Sequence, residues 1–436
     1  MTIASTAAPT GMARRQIGLS GAIALVMGNM IGSGIFLTPA ALAPFGWNGV
    51  AGWLLTIGGS LALALVIARL TIRLPQASGP SQMIASAFGP VSGFAIGWIY
   101  WISIVTTNVT ISVSAIAALT PIVPALGKVP GLGAGAAIAL MWTMLLLNLR
   151  GAGSAARFQL VTLILKLLPI VLVGGLIALV LARQGGGVLI PWPTSGLSGG
   201  QMSSAAALTL WAMLGFESAS CASDKVADPA RTIPRATLIG TAATGFIYLF
   251  ICSGVGMMLG GDAAASDAPF ALFVQRYWAA GPAALITLFV AISCIGALNG
   301  WTLLSGEVPL ALARNGELRR WFAATDARGT PVRVLIVSAL FATLLLIANS
   351  LKGLVDIFTV MALLSTSATL WLYLGCAITA LHYRVMMPIA LIGLLYSLWT
   401  LWGAGWQTSL MSLILMLAGL PLYWLARRSS AAQPAE

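Results

Sequence analysis

The sequence predicts an all-α integral membrane protein, and three observations support that fold class. Of the 436 residues, 59% are hydrophobic and only 7% are Asp, Glu, Lys or Arg, with a mean hydropathy of +0.97. Soluble domains carry roughly 25% charged residues, so this chain has too few to cover itself in water. Apolar runs of about 20 residues recur from end to end, each long enough to cross a bilayer as a helix. The basic residues sit at the ends of those runs. A secreted disulfide scaffold, a disordered regulator and an ordinary cytosolic enzyme are excluded.

Twelve transmembrane helices are expected, near 17–43, 48–68, 91–118, 132–149, 158–182 and 202–223, then 236–259, 281–309, 332–349, 354–381, 386–403 and 407–426. Connections are about 20 residues at most, which leaves no room for a soluble domain between spans. Residues 74–90 carry turn formers and a weakly amphipathic piece. Residues 184–200, with three consecutive glycines and Pro-Trp-Pro, suit an irregular loop. Residues 310–330 suit a short basic interfacial helix, with a solvated loop as the alternative.

The formal charge of +12 could suggest nucleic acid, but its distribution argues for topology. With the N-terminus inside, seventeen basic residues fall in inner loops or tails and four (Lys128, Arg183, Arg276, Lys352) outside. The positive-inside rule therefore places both termini, 1–16 and 427–436, in the cytoplasm of a cell whose inner membrane holds the spans. The apolar stretch after Arg14-Arg15 is too long for a signal peptide. Cys221, Cys252, Cys294 and Cys376 lie in apolar segments without metal spacing and read as small buried hydrophobes. No cofactor or metal is expected.

Two spans contradict their own apolar character. Span 1 contains GNMIGSGIF, residues 28–36, with glycines near mid-membrane. Glycine weakens a helix, and unwound backbone at that depth survives only where protein or a water-filled cavity surrounds it. The freed N–H groups and the start of the second half-helix then favour an anion. Close packing of small residues is the alternative, and the tight cluster beside Asn29 favours the break. Span 6, LTLWAMLGFESASCASD, buries Glu217. A carboxylate there is costly, so it is a candidate proton-responsive group, with a hydrogen-bonded structural Glu as the alternative. Gly215 again permits a local break. Spans 1 and 6 are five apart and enter from opposite sides, which suggests inverted repeats around a mid-membrane site.

Other residues could line that site. Trp301, in GALNGWTLLSGE, offers a flat face to a cation. Tyr100 and Asn108 are about two turns apart on span 3, hence roughly on one face. Lys166 is a base inside a span and must be paired, deprotonated or facing water. Glu307, a second intramembrane acid, is its conceivable partner.

With those residues assembled, the chain resembles the amino acid–polyamine–organocation (APC) superfamily over almost its whole length. LTLWAMLGFESAS, DPARTIPRA and GALNGWTLLSGE are similar to the basic amino acid/polyamine antiporter group, in particular its arginine/agmatine exchange type. The resemblance implies a leucine-transporter-type fold: inverted repeats of five spans over 17–182 and 202–381, plus two C-terminal helices over 386–426. It implies a substrate carboxylate at Ser33 and Gly34, beside Asn29, and an α-amino group at the carbonyls of Met30, Trp211 and Leu214. The guanidinium would stack on Trp301 and approach Asn108, Ser103 and Ile104. Trp211, Trp301 and Tyr100 would be gates, Glu217 a proton-sensitive switch and Tyr373 an inner gate. Such relatives are often homodimers.

The sequence also departs from the group. Lys166 resembles the lysine that some proton-coupled members place where sodium-coupled relatives bind an ion, and Glu307 replaces a neutral position. The PSGGxYxY element before span 3 appears as ASGPSQMIASAFGP, without tyrosines. Proton-coupled symport of neutral or other amino acids, with Lys166 in coupling, is therefore the second transport reading. An ion channel would want charge rings or a carbonyl filter. A membrane enzyme would want a nucleophile–base pair or metal cluster, and the single histidine, His382, speaks against one. Amino acids or amines, protons and the bilayer are the expected partners.

Overall fold

The computed structural model describes residues 18–77, 79–150, 165–217, 220, 226, 228–327 and 329–431. Cys221, and the first residues expected in span 5, lie outside them. The described chain is helical throughout. Its helices of nine residues or more are α1 (Leu19–Met30), α2 (Gly34–Leu42), α3 (Trp47–Arg73), α4 (Pro80–Phe88), α5 (Pro90–Ala118) and α6 (Leu132–Leu149). There follow α7 (Leu167–Gln184), α8 (Gly199–Met213), α9 (Pro229–Leu259), α10 (Pro269–Tyr277) and α11 (Ala280–Arg314). The last five are α12 (Val332–Ala348), α13 (Leu354–His382), α14 (Met387–Gly403), α15 (Trp406–Ala418) and α16 (Leu420–Ala431).

Among the described residues, eight helices are long and apolar enough to cross a membrane, or nine if α1 and α2 form one bent span. The shorter α12 and α14 are apolar as well. Several helices start where proline supplies a preset φ and needs no intrahelical N–H partner: Pro80, Pro90, Pro229 and Pro269. At 35 residues, α11 would be about 52 Å long, so it must tilt or reach past a hydrocarbon core of about 30 Å.

Burial separates centre from rim. The apolar window of α5 is buried along its whole length, whereas that of Trp406–Arg428 is buried over 22%. The rim carries Leu54, Val171, Phe246, Leu344 and Trp402 outward, as lipid-facing positions require. At the centre, α5 packs between α11 and α13; α3 packs against α8 and α9, and α9 against α1. Polar contacts tie these layers together. Trp101 donates its Nε1–H to Ser338 Oγ on α12, and Ser338 donates to the Ser305 carbonyl on α11. Tyr396 on α14 donates to Thr56 on α3, which lies 2.7 Å from Thr209 on α8.

The connections differ from expectation in two places. Residues 310–330 do not form a separate interfacial helix. Instead α11 runs on to Arg314 and ends at Asn315–Gly316, where Gly316 takes φ +75, leaving only a short 3₁₀ turn at Arg320–Ala323. The stretch between α9 and α11, for which the sequence predicts no element, contains α10, whose Arg276 pairs with Asp262. Residues 74–90 do hold a helix, α4.

Glu317 lies in the turn after α11, half buried beside Leu318. Burial pushes its carboxyl from an ordinary 4.5 up to about 7. The folded protein thus binds this proton more tightly than the unfolded chain, so stability should fall as pH rises from 4.5 to about 7. Glu317→Gln should flatten that decline, measured as the thermal midpoint of the purified protein across the pH window.

Candidate functional site

The site grows from two interruptions. Helix α1 stops at Met30, residues 31–33 are not helical, and α2 restarts at Gly34 with a bend of 43°. Helix α8 stops at Met213; Leu214 is extended at ψ 144 and Gly215 adopts φ +107, a conformation that favours glycine. The two interruptions touch. A Cβ on Gly215 would lie 3.3 Å from the Asn29 backbone, and one on Gly34 would lie 2.8 Å from Ala212 Cβ. Close approach thus requires glycine at position 34.

Backbone groups released at membrane depth need partners, since an unsatisfied one costs several kcal/mol. Side chains from other helices supply them. Lys166, 2% exposed just before α7, donates Nζ–H to the carbonyls of Gly28 at 2.6 Å and Ile31 at 2.8 Å. Tyr248, fully buried on α9, donates Oη–H to the Met30 carbonyl at 2.7 Å. Gly32 N–H also reaches that carbonyl, at 2.8 Å. Past the interruption, within α2, Thr38 donates to the Gly34 carbonyl of its own helix, and Cys252 on α9 to that of Ile35.

Between the interruptions lies a cavity of about 20 Å³, lined by Asn29, Met30, Gly32, Ser33 and Gly34 from the first, by Trp211, Ala212 and Leu214 from the second, and by Thr107, Ile111 and Trp301. That is room for about one water, far below the roughly 300–1,000 Å³ of a small-molecule pocket, so the site is contracted. Three polar atoms here, all buried, make no hydrogen bond: Ser33 Oγ, Trp211 Nε1 and, just behind the wall, Asn108 Oδ1. Asn108 Nδ2–H points to the Trp301 carbonyl at 3.4 Å. Buried polar groups are normally satisfied, so these atoms mark where a polar guest would be held.

Beyond the second interruption sits Glu217, 1% exposed. Tyr100 on α5 donates to its Oε1 at 2.9 Å and Tyr373 on α13 to its Oε2 at 3.0 Å. Gly215 N–H reaches Oε2 at 3.2 Å. Phe216 stacks on Tyr373 with ring centroids 4.8 Å apart.

The sequence profile of the family described as amino acid permease matches residues 17–431. The chain is an amino acid permease of the APC superfamily. Its relatives fall in the basic amino acid/polyamine antiporter group. The permease is 32% identical to the cadaverine/lysine antiporter of Escherichia coli K12, over 78% of this chain and 76% of that protein. It is 31% identical to a putative arginine/ornithine antiporter of Bacillus subtilis, over 82% of each chain. A third relative, the putrescine transporter PotE of Haemophilus influenzae, is 28% identical over 94% of this chain and 96% of that one.

Of the residues singled out in the permease sequence, Asn29, Met30, Ser33, Gly34, Trp211, Leu214 and Trp301 line the cavity. Tyr100, Glu217 and Tyr373 form a separate bridge. Ser103 and Ile104 lie off the cavity, with Ser103 donating to the Tyr100 carbonyl and accepting from Ser365 at its own carbonyl. The proposed pairing of Lys166 with Glu307 is not formed. The helix interruption offers Lys166 two carbonyls at close range, while Glu307 is exposed on α11. Gly32, expected as part of the break, lines the cavity too; sequence reasoning missed Thr107, Ile111 and Ala212 in the lining, and Tyr248 behind it. Thr107 was visible as a polar neighbour of Asn108; a lone tyrosine in an apolar span gave no signal.

Gly34→Val should drive α2 and α8 apart. Overpacking costs about 1–3 kcal/mol, so folding should survive while transport by the purified protein in liposomes falls at least tenfold.

Proposed function

We propose that this permease exchanges a cationic amino acid for its decarboxylated amine, such as arginine for agmatine, across the cytoplasmic membrane, without enzymatic conversion of either. The observation that carries the reading is the small cavity between two interrupted helices, two of whose lining residues, Ser33 and Trp211, keep a buried polar atom without a hydrogen bond. The N-terminus of α2 at Ser33–Gly34 suits a carboxylate, and the carbonyls of Trp211 and Leu214 suit an ammonium, whereas the Met30 carbonyl, expected to share that role, already accepts from Tyr248 and the Gly32 N–H. The Trp301 face, near Asn108, suits a guanidinium or a second ammonium. The relatives named for lysine with cadaverine and for arginine with ornithine support a cationic exchange pair.

In this reading twelve spans form two inverted repeats, 17–182 and 202–381, plus 386–426, with both termini cytoplasmic and assembly as a homodimer. The bundle containing the two interrupted spans rocks against the rest. Glu217, clasped by Tyr100 and Tyr373, acts as the pH-sensitive latch: protonation alters the clasp and so the ease of rocking. One observation favours a second reading, proton-coupled symport. Lys166 holds two carbonyls of the α1 interruption, and loss of its charge would release them.

Liposomes containing the purified protein, loaded with arginine, agmatine or nothing, would separate the readings. Exchange predicts uptake of labelled arginine only with counter-substrate inside; uptake into empty vesicles driven by an inward proton gradient overturns it. In the same assay Glu217→Gln should flatten the pH dependence of the rate. Lys166→Ala should lower the rate at least tenfold, because a buried interruption loses a charged donor to two carbonyls; a wild-type rate would make Lys166 dispensable.

A further inference from the structure

Helix α15 lies at the rim, and its one fully buried residue is polar: Ser412, 0% exposed. Trp371 on α13 donates Nε1–H to Ser412 Oγ at 2.9 Å, and Ser367 Oγ, one turn earlier on α13, lies 2.9 Å from the same oxygen. Ser412 passes its own hydrogen to the Ser409 carbonyl at 2.8 Å. A hydroxyl has one hydrogen and two lone pairs, so this one is saturated when it accepts from both α13 side chains. Three residues further along α15, the Leu415 carbonyl accepts Nε1–H of Trp98 from α5 at 2.9 Å. The Trp98 ring lies flat enough on Gly419 that an added Cβ there would come within 2.5 Å of it.

The two tryptophans occupy matching positions. Trp98 precedes Tyr100 by two residues on α5, and Trp371 precedes Tyr373 by two on α13. Residues two apart are about 200° apart around an α-helix. Each helix therefore turns its tryptophan to α15 and its tyrosine, from nearly the opposite side, to Glu217. Polar residues commonly glue membrane helices together, but that role alone does not ask for the same spacing on two helices that clasp one carboxylate.

We propose that α15 is a strut that braces the outer faces of α5 and α13, adding to their direct packing and to the Thr107–Ser365 and Ser365–Ser103 contacts between them, and through Trp98, Trp371 and Ser412 holds Tyr100 and Tyr373 at the separation that clasps both oxygens of Glu217. These three are positioning residues, and the strut rests on the reading of Glu217 as the pH-sensitive latch. Among the described residues the groups facing the carboxylate are Tyr100 from α5, Tyr373 from α13 and the Gly215 N–H, with Cys376 beside Tyr373. With the strut intact, the tyrosines stay with α5 and α13 when the segment bearing Glu217 moves, so both bonds break together. Without it, the tyrosines follow and the latch is slack.

The test is exchange by the full-length protein in liposomes between about pH 5 and pH 8, comparing wild type with Ser412→Ala, Trp371→Phe and Ser412→Thr. The alanine and phenylalanine variants should move the midpoint of the rate–pH curve at least half a pH unit towards higher pH, with the maximal rate within about twofold of wild type. Ser412→Thr, which keeps the hydroxyl, should restore the wild-type curve. A lower rate with an unmoved midpoint, or an unchanged curve, would overturn the strut. Combining Ser412→Ala with Glu217→Gln separates the two readings. If the strut acts through Glu217, Ser412→Ala changes nothing further in that background; additive effects overturn it. A wild-type curve for Glu217→Gln alone would refute the latch itself.

Discussion

A backbone carbonyl or N–H left unpaired in a hydrocarbon slab is more costly than almost any side-chain choice nearby, and this constraint organises the centre of the permease. Two helices abandon their hydrogen-bond ladders at residues 31–33 and after Met213. The core around them reads as a set of answers to those released groups. Lys166, just before α7, and Tyr248, on α9, reach carbonyls around the first interruption, and Cys252 on α9 reaches that of Ile35 in the first turn of α2. Gly34 and Gly215 let the two interruptions approach without side chains between them.

The division of labour among the answers is chemically sensible. A charged ammonium goes where two carbonyls converge, because it has three hydrogens to give and needs both acceptors to offset its burial. A phenol goes to the single Met30 carbonyl. Among the residues that line the cavity, Ser33 and Trp211 each keep a buried polar atom without a hydrogen bond. The protein thus satisfies the backbone from outside and leaves the inside for a guest.

Glu217 is a separate problem with a different solution. A carboxylate that is 1% exposed is tolerated because each oxygen receives a tyrosine hydroxyl, and those tyrosines lie on α5 and α13, whose other faces are anchored to the rim helix α15. The cavity and the Glu217 clasp share the second interruption yet recruit different helices.

The sequence by itself determined the membrane class, the two interruptions and the ionisable residues that had to be explained. Scarce charge, twenty-residue apolar runs, the glycines at 28–36 and a glutamate in span 6 are all local signals. Seven of the expected site residues meet at the cavity, because glycine and tryptophan in a span are themselves visible departures from lipid-facing composition. Only the tertiary structure decided who satisfies whom. Lys166 and Gly28 are 138 residues apart, and Tyr248 and Met30 are 218 apart. Periodicity along one segment shows that a buried group is costly; it does not show which distant helix relieves the cost. The same reason explains why Glu307 misled as a partner for Lys166, and why Ser412 drew no notice. A serine in an apolar helix looks the same whether it faces lipid or receives a tryptophan from the core.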